Sequence, residues 1–255
     1  HQKYKVISRT ISYHGATLGA LSMTGHYPRR RKYLPLLSHF PRISTPYCWR
    51  CPYHRRPSNC GYECAYELER VILAEDPENV SAFIAEPIVG ASAPAVAPPP
   101  DYYRIIKNIC RKYDVLFIAD EVMTGCGRCG TFFAIEQYGV FPDMLALSKG
   151  ISSGYSPLGA LIVSEHIHRT IAQSETHAFI HGHTFAGNPL SAAVGLEVVR
   201  VIREENLIGR VASLGKYLYR RLRTLKTLEI VGDVRCRGLL AGVEFVELPH
   251  ARENA

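Results

Sequence analysis

Two apolar stretches of this chain end in residues that could do chemistry together. Phe117-Ile118-Ala119-Asp120-Glu121-Val122-Met123-Thr124-Gly125 reads as a buried strand that closes on an acidic residue and enters a glycine-containing turn. The carboxyl ends of strands form the ligand crevice of open α/β sheets, so Asp120 stands where a carboxylate can meet a ligand's positive charge. Further along, Ala146-Leu147-Ser148-Lys149-Gly150 is a second apolar run ending in a lone lysine, followed by Gly154 and Gly159. A lysine in a desolvated crevice can have its pKa lowered, which imine formation requires. Taken singly each residue has an ordinary reading: strand-end aspartates often cap helices, and strand-end lysines usually point to solvent.

Jointly, an aspartate followed one strand unit later by a lysine matches the needs of pyridoxal 5'-phosphate. That cofactor takes a lysine as its covalent anchor and a carboxylate that keeps its pyridine nitrogen protonated, so the ring can accept electrons from a carbanion. A second candidate group is Cys48, Cys51, Cys60 and Cys64, spaced C-x2-C-x8-C-x3-C. Thiolates at such intervals can enclose zinc or hold an iron–sulfur cluster. The interleaved Trp49, Tyr53 and Tyr62, with Pro52 and Pro57, equally fit a cysteine-rich connection packed on the surface. The second spacing is unusual for a zinc ribbon, so no metal is assigned. Cys126 and Cys129 form another C-x2-C inside the turn after Asp120.

The elements that must position these residues are legible in the alternation of apolar runs and helical stretches, which signals an α/β domain with a mainly parallel sheet flanked by helices. Strands are expected at Lys5–Arg9, Val80–Ile84, Val115–Ala119, Met144–Leu147 and Leu158–Val163, each short and continuously apolar as in strands buried on both faces. Helices are expected at Glu63–Glu75, at Asp101–Tyr113 with Asp101 as N-cap after three prolines, and at Leu190–Glu205. A further helix, Ile208–Leu225, places Val211, Leu214, Leu218 and Leu222 on one face and Arg220, Arg221 and Arg223 on another. Glu229–Asp233 and Leu239–Val246 then read as strands of an antiparallel unit. Residues 1–207 would form a large domain, and 208–255 a linking helix and the start of a small α+β C-terminal domain.

The chain has 255 residues, 47% of them hydrophobic and 21% charged, enough for a large core and unlike a disordered chain. No apolar run approaches the ~20 residues that span a bilayer, so no membrane partner is expected. The net charge of +7 has one dense cluster, Arg29-Arg30-Arg31-Lys32, without the basic helical stripe of a nucleic-acid binder. A solvated loop or a site for small anions is the better reading. Eight cysteines without an export signal suggest thiols in a reducing, cytoplasmic compartment. The first residues read as a strand already under way and the last as just past one, so the chain is expected to be part of a longer protein.

The sequence resembles the class III (omega-amino acid) aminotransferases, pyridoxal-phosphate enzymes of fold-type I. The resemblance is carried by Ile118-Ala119-Asp120-Glu121-Val122-x-Thr124-Gly125-x-Gly127-Arg128, by Ser148-Lys149-Gly150, by Tyr13-His14-Gly15, by Glu86-Pro87-Ile88 and by His183-Thr184-Phe185-x-Gly187-Asn188-Pro189. The segment Cys48-Trp49-Arg50-Cys51-Pro52-Tyr53 is similar to a subset that uses pyruvate as amino acceptor, including taurine–pyruvate-like transaminases. The resemblance implies that Lys149 anchors the cofactor and shuttles a proton. It gives Asp120 the pyridinium nitrogen and Val122 and Tyr13 the two ring faces, while His14 shapes the turn beside Tyr13. Glu86 falls near the substrate side, and Thr184 reaches the cofactor phosphate of a neighbouring subunit, which implies a homodimer with shared sites. The expected reaction is ping-pong transfer of an amino group from an amine or omega-amino acid to a 2-oxo acid such as pyruvate. A related aminomutase or decarboxylase would keep the same Asp120 and Lys149, and a non-catalytic fragment that cannot hold the cofactor alone is a third reading. The chain departs from the family pattern at Met123, Cys126 and Cys129, where relatives carry glutamine, an aromatic and threonine. The family's phosphate-binding helix start and its substrate-gripping arginine are expected outside residues 1–255.

Overall fold

The computed structural model describes residues 3–247. In chain order its elements are β1 (Lys5–Arg9), α1 (Leu18–Met23), α2 (Tyr27–Arg30), β2 (Arg42–Ile43), α3 (Glu63–Ala74), β3 (Val80–Ala85), α4 (Tyr102–Lys112), β4 (Leu116–Asp120), β5 (Met144–Leu147), β6 (Ala160–Val163), α5 (Glu165–Ala172), α6 (Pro189–Glu204), α7 (Leu207–Arg223), β7 (Val231–Arg237) and β8 (Leu240–Phe245). Six strands form one sheet in the order β2-β1-β3-β4-β5-β6. All neighbours are parallel except β6, which runs antiparallel to β5. β7 and β8 make a separate antiparallel hairpin.

The sheet is covered by α3 and α4. Ala65, Leu68 and Ile72 of α3 and Tyr102, Tyr103, Ile106 and Ile109 of α4 recur at helical three- and four-residue intervals and are buried against Phe83 and Phe117 of β3 and β4. Phe83 and Phe117 stack at 6.2 Å between ring centres, and Tyr103 stacks on Phe117 at 5.7 Å. β3 is buried along nearly its whole length, while in β4 Phe117, Ala119 and Asp120 are buried and Leu116 and Ile118 half-buried, so neither strand needs polar residues on a fully solvated face.

The expected strands are all present, with ends set by local hydrogen bonds. β4 starts one residue late because the Val115 N–H is bound by the Cys110 carbonyl closing α4, and it runs one residue further because Asp120 pairs with Ala146. β6 starts at Ala160 because the Leu158 carbonyl accepts from the Ser148 hydroxyl instead of a ladder partner. The two-residue β2 carries no apolar run to reveal it. Its Arg42 donates to the carbonyls of Ser22 and Thr24, at 2.6 and 3.2 Å, tying the strand to the end of α1.

Two expectations are corrected. Asp101 does not cap α4 with its side chain; it stands in αR backbone geometry and its carboxylate takes Arg104 and the Tyr62 hydroxyl. The leucine face of α7 is not a buried stripe: Val211, Leu218 and Leu222 are half-buried, Leu214 is 45% exposed, and Gly215 is the buried position. A Cβ at Gly215 would lie 2.5 Å from the Gly238 carbonyl, so the glycine lets α7 meet the β7–β8 turn backbone to backbone. The eight cysteines are free thiols, and among the described residues no three of His, Cys, Asp or Glu gather to hold a metal, Cys48, Cys51, Cys60 and Cys64 included.

Candidate active site

Adjacent parallel strands bring the two chemical motifs together. Asp120 ends β4 opposite Ala146 of β5, and Lys149 follows three residues beyond that partner. The Glu121 N–H continues the ladder to the Ala146 carbonyl at 3.0 Å, so the backbone fixes the offset between the two sites. The turns after the strands are also in contact. A Cβ at Gly125 would meet the Leu147 side chain at 2.8 Å and the Glu121 carbonyl at 2.9 Å, and one at Gly150 would meet Cys126 at 3.0 Å. Glycines at both places let the Asp120 turn lie directly on the Lys149 turn.

Glu121, without a role in the sequence reading, holds the first of these turns. It is 1% exposed, accepts from the Ile135 N–H at 2.8 Å and from the Thr124 hydroxyl, and burial pushes its carboxyl above the usual range. Its signal in the sequence was the Asp-Glu pair at a strand end, where only one of the two can face the crevice.

Asp120 is almost fully enclosed, its side chain 8% exposed. Oδ1 accepts from the Val122 N–H at 3.1 Å, and Oδ2 lies 2.7 Å from His14 Nδ1. A carboxylate can only accept, so Nδ1 carries the proton that His14 donates. The His14 side chain is 1% exposed, and its Nε2 is buried without a hydrogen-bond partner among the described residues. His14, read from the sequence as shaping a turn, is therefore in direct contact with Asp120.

Tyr13 and His14 are held from β3. Glu86, 4% exposed, accepts from the Tyr13 N–H at 3.0 Å through one carboxylate oxygen and from the Gly90 N–H at 3.1 Å through the other. Burial raises the Glu86 carboxyl above its ordinary value, while the nearby His14 and Arg9 pull it back. Arg9 ends β1 wholly buried and donates to the Glu86 carbonyl at 2.5 Å and to the Tyr103 hydroxyl at 3.2 Å. This buried arginine was not foreseen; its only mark was a cation closing an apolar strand. Strand-end Arg9, Glu86 and Asp120 thus line up across β1, β3 and β4, with the Tyr13–His14 segment laid over them.

Lys149 is exposed, with φ of 47°, and its side chain makes no hydrogen bond or ion pair among the described residues. The left-handed region costs a non-glycine residue about 1–2 kcal/mol, and such strain concentrates at functional positions. Thr184 lies elsewhere: residues 175–190 are exposed throughout, and its hydroxyl makes no hydrogen bond among the described residues.

Comparison with known proteins accounts for this arrangement. The model of the family "Aminotransferase class-III" matches residues 1–254. The chain is 42% identical to the uncharacterized aminotransferase YodT of Bacillus subtilis, over 96% of this chain and 55% of that protein. It is 40% identical to a putrescine–pyruvate aminotransferase of Pseudomonas aeruginosa, over 99% of this chain and 55% of that one. Its fold is similar to that of an (S)-enantioselective omega-transaminase from Thermomicrobium roseum, with a TM-score of 0.90 and 39% identity, covering 96% of this chain and 54% of the other. The chain spans about half the length of the relatives it matches. Strand ends that carry Asp120 and Lys149 side by side, a sheet of this topology and a match along the whole chain agree: the chain belongs to the class III aminotransferase family.

Proposed function

We propose that the protein is a pyridoxal-phosphate-dependent transaminase, moving an amino group from an amine or omega-amino acid to a 2-oxo acid such as pyruvate by a ping-pong mechanism. The observation that carries the reading is the pair of adjacent strand ends with enclosed Asp120 on one and unpartnered Lys149 on the other. The residues present fit the cofactor. Asp120 keeps lone pairs beyond its bonds to Val122 and His14, and Lys149 has an uncommitted amine. The orphaned His14 Nε2 supplies one buried polar atom still to be satisfied.

When bound, pyridoxal phosphate supplies an aldehyde that condenses with amines and a ring that draws electrons from the adjacent carbon. Lys149 would be the residue that holds the aldehyde, and its amine, uncommitted among the described residues, would be the group that moves the proton of the donor's reacting carbon. Asp120 would keep the ring nitrogen protonated, and His14 fixes that carboxylate by its Nδ1–H. Tyr13 and Val122 would flank the ring and help to exclude water. Glu86 acts at one remove, anchoring the Tyr13 backbone. Thr184, exposed on its own chain, serves the phosphate in a second subunit, which makes the working unit a homodimer. Residues 1–207 form the cofactor-binding domain, and α7 with the β7–β8 hairpin begins a smaller one.

The test is spectroscopic. The protein expressed from its whole reading frame should take up pyridoxal phosphate and show a visible absorbance band that Lys149→Ala removes. A band of unchanged position and intensity in that variant would refute the role of Lys149.

A further inference from the structure

One cation beside this site has no use in the chemistry described. Arg29, in α2, places its guanidinium carbon 4.1 Å from the centre of the Tyr13 ring. A guanidinium over an aromatic face is attracted by the ring's quadrupole and becomes confined in orientation. The contact consumes none of its N–H donors: the Arg29 side chain makes no hydrogen bond or ion pair among the described residues.

The backbone beneath it is fixed. The N–H groups of Gly25 and His26 both donate to the Ser12 carbonyl, at 3.1 and 3.0 Å, stapling the start of α2 to the residue before Tyr13. A Cβ at Gly25 would lie 2.1 Å from the Arg9 carbonyl, so only glycine permits that approach. Arg30 is anchored to the Leu21 carbonyl at 3.3 Å, which turns its neighbour Arg29 the other way, onto Tyr13. Tyr13 in turn is one residue from His14 and its bond to Asp120. The basic cluster of the sequence is thus not uniformly a free solvated loop; one of its members, exposed Arg29, is stacked on Tyr13, the neighbour of His14. No acid neutralises it: among the described residues Arg29, Arg31 and Lys32 have no ion-pair partner.

We propose that Arg29 is a specificity residue that binds the distal carboxylate of an omega-amino acid donor. The inference rests on the transaminase reading above. A guanidinium offers a planar fork that matches a carboxylate bidentately, the pairing with the best geometry among charged hydrogen bonds. Arg29 touches Tyr13 and makes no hydrogen bond or ion pair with Asp120 or Lys149, which suits a carboxylate set apart from the reacting carbon. The omega-amino acid places its carboxylate there, whereas a 2-oxo acid carries it on the carbon that reacts.

The experiment compares 5-aminopentanoate with pentylamine as donors, pyruvate being held saturating. In Arg29→Ala, KM for 5-aminopentanoate should rise at least tenfold while that for pentylamine stays within about threefold; Arg29→Lys should recover part of the loss, and Arg31→Ala should change neither. A second readout does not need turnover: calorimetric titration with pentanoate should give weaker binding to Arg29→Ala than to the unaltered protein. Equal rises for both donors, no rise for either, or a rise confined to the KM of pyruvate would overturn the assignment, as would pentanoate affinity indifferent to Arg29. Should the unaltered protein take up no cofactor, the transaminase reading fails. The pentanoate titration then still decides whether Arg29 binds carboxylates.

Discussion

At the residue scale the site is a set of buried carboxylates with unequal tasks. Asp120 is held by an imidazole and a backbone amide, Glu86 by two backbone amides, and Glu121 by a hydroxyl and an amide. Asp120 is bonded to a group that keeps an unsatisfied atom among the described residues, His14 Nε2. A hydrogen bond to a charged group is worth about 1.5–3 kcal/mol, so His14→Ala should lower kcat about ten- to hundredfold. Steady-state kinetics across pH checks this, and a variant within twofold of the unaltered protein would remove His14 from the mechanism. Lys149 gives a prediction of opposite sign. Glycine tolerates the left-handed backbone that lysine occupies here, so Lys149→Gly should abolish amino transfer yet unfold at an equal or higher urea concentration, by up to about 1 kcal/mol. A third prediction concerns the thiols. Burial pushes Cys64, Cys110 and Cys129 up to about 12 and Cys126 to about 11. All four are then protonated at pH 8, where the thiolate is the reactive form. Native protein at pH 8 should label slowly at these four positions, read by peptide mass mapping; fast labelling of Cys110 would contradict its burial.

At the element scale, glycine contacts decide how closely loops approach strands. The turn after β4 lies on the turn after β5 because Gly125 and Gly150 have no side chains. Gly25 does the same between α1 and the end of β1. Gly25→Ala would drive its methyl against the carbonyls of Arg9 and Thr10, at 2.1 and 2.5 Å, neither of which can swing aside. Overpacking of this kind costs about 1–3 kcal/mol. Thermal unfolding should show a lowered midpoint for Gly25→Ala and no loss for Gly19→Ala, where a Cβ meets nothing. Gly19→Ala should moreover raise the midpoint slightly, since alanine is the better helix former inside α1.

At the scale of the whole molecule, the β7–β8 hairpin is joined to the rest of the chain by charge and backbone contacts as well as by the packing of Leu240 on Ile88, Cys129 and Ala134. Arg235 donates to Asp233 and Glu244, both at 2.7 Å, and to the Pro94 carbonyl, while Arg50 from the cysteine-rich loop reaches Glu244 at 2.8 Å. The Trp49 ring packs where a Cβ at Gly232 would stand, 2.6 Å away. The loop of Cys48 and Cys51 therefore serves as a clasp for the hairpin. The Arg235, Asp233 and Glu244 side chains are each about 15% exposed, so removing the arginine leaves two poorly hydrated carboxylates with one cation each, Lys226 beside Asp233 and Arg50 beside Glu244. Arg235→Ala should cost about 1–3 kcal/mol in urea unfolding, with little relief from added salt. A loss below 0.5 kcal/mol, the usual range for an exposed pair, would show the clasp to be incidental.

Much of this was written in local sequence. Continuous apolar runs gave the parallel strands because strands buried on both faces need no alternation, and Asp120 and Lys149 were visible as polar residues closing such runs. What local sequence does not contain is partnership across the chain. The bond from His14 to Asp120 joins residues 106 apart, and that from Tyr13 to Glu86 joins residues 73 apart. Neither periodicity nor propensity extends over such separations. The same holds for buried Arg9, for the two-residue β2 and for the stack of Arg29 on Tyr13. Sequence by itself determined which residues could do chemistry and which strands would carry them. Only the tertiary structure decided which side chains those residues touch, because a buried polar group is satisfied by whatever the packed chain brings within 3 Å of it.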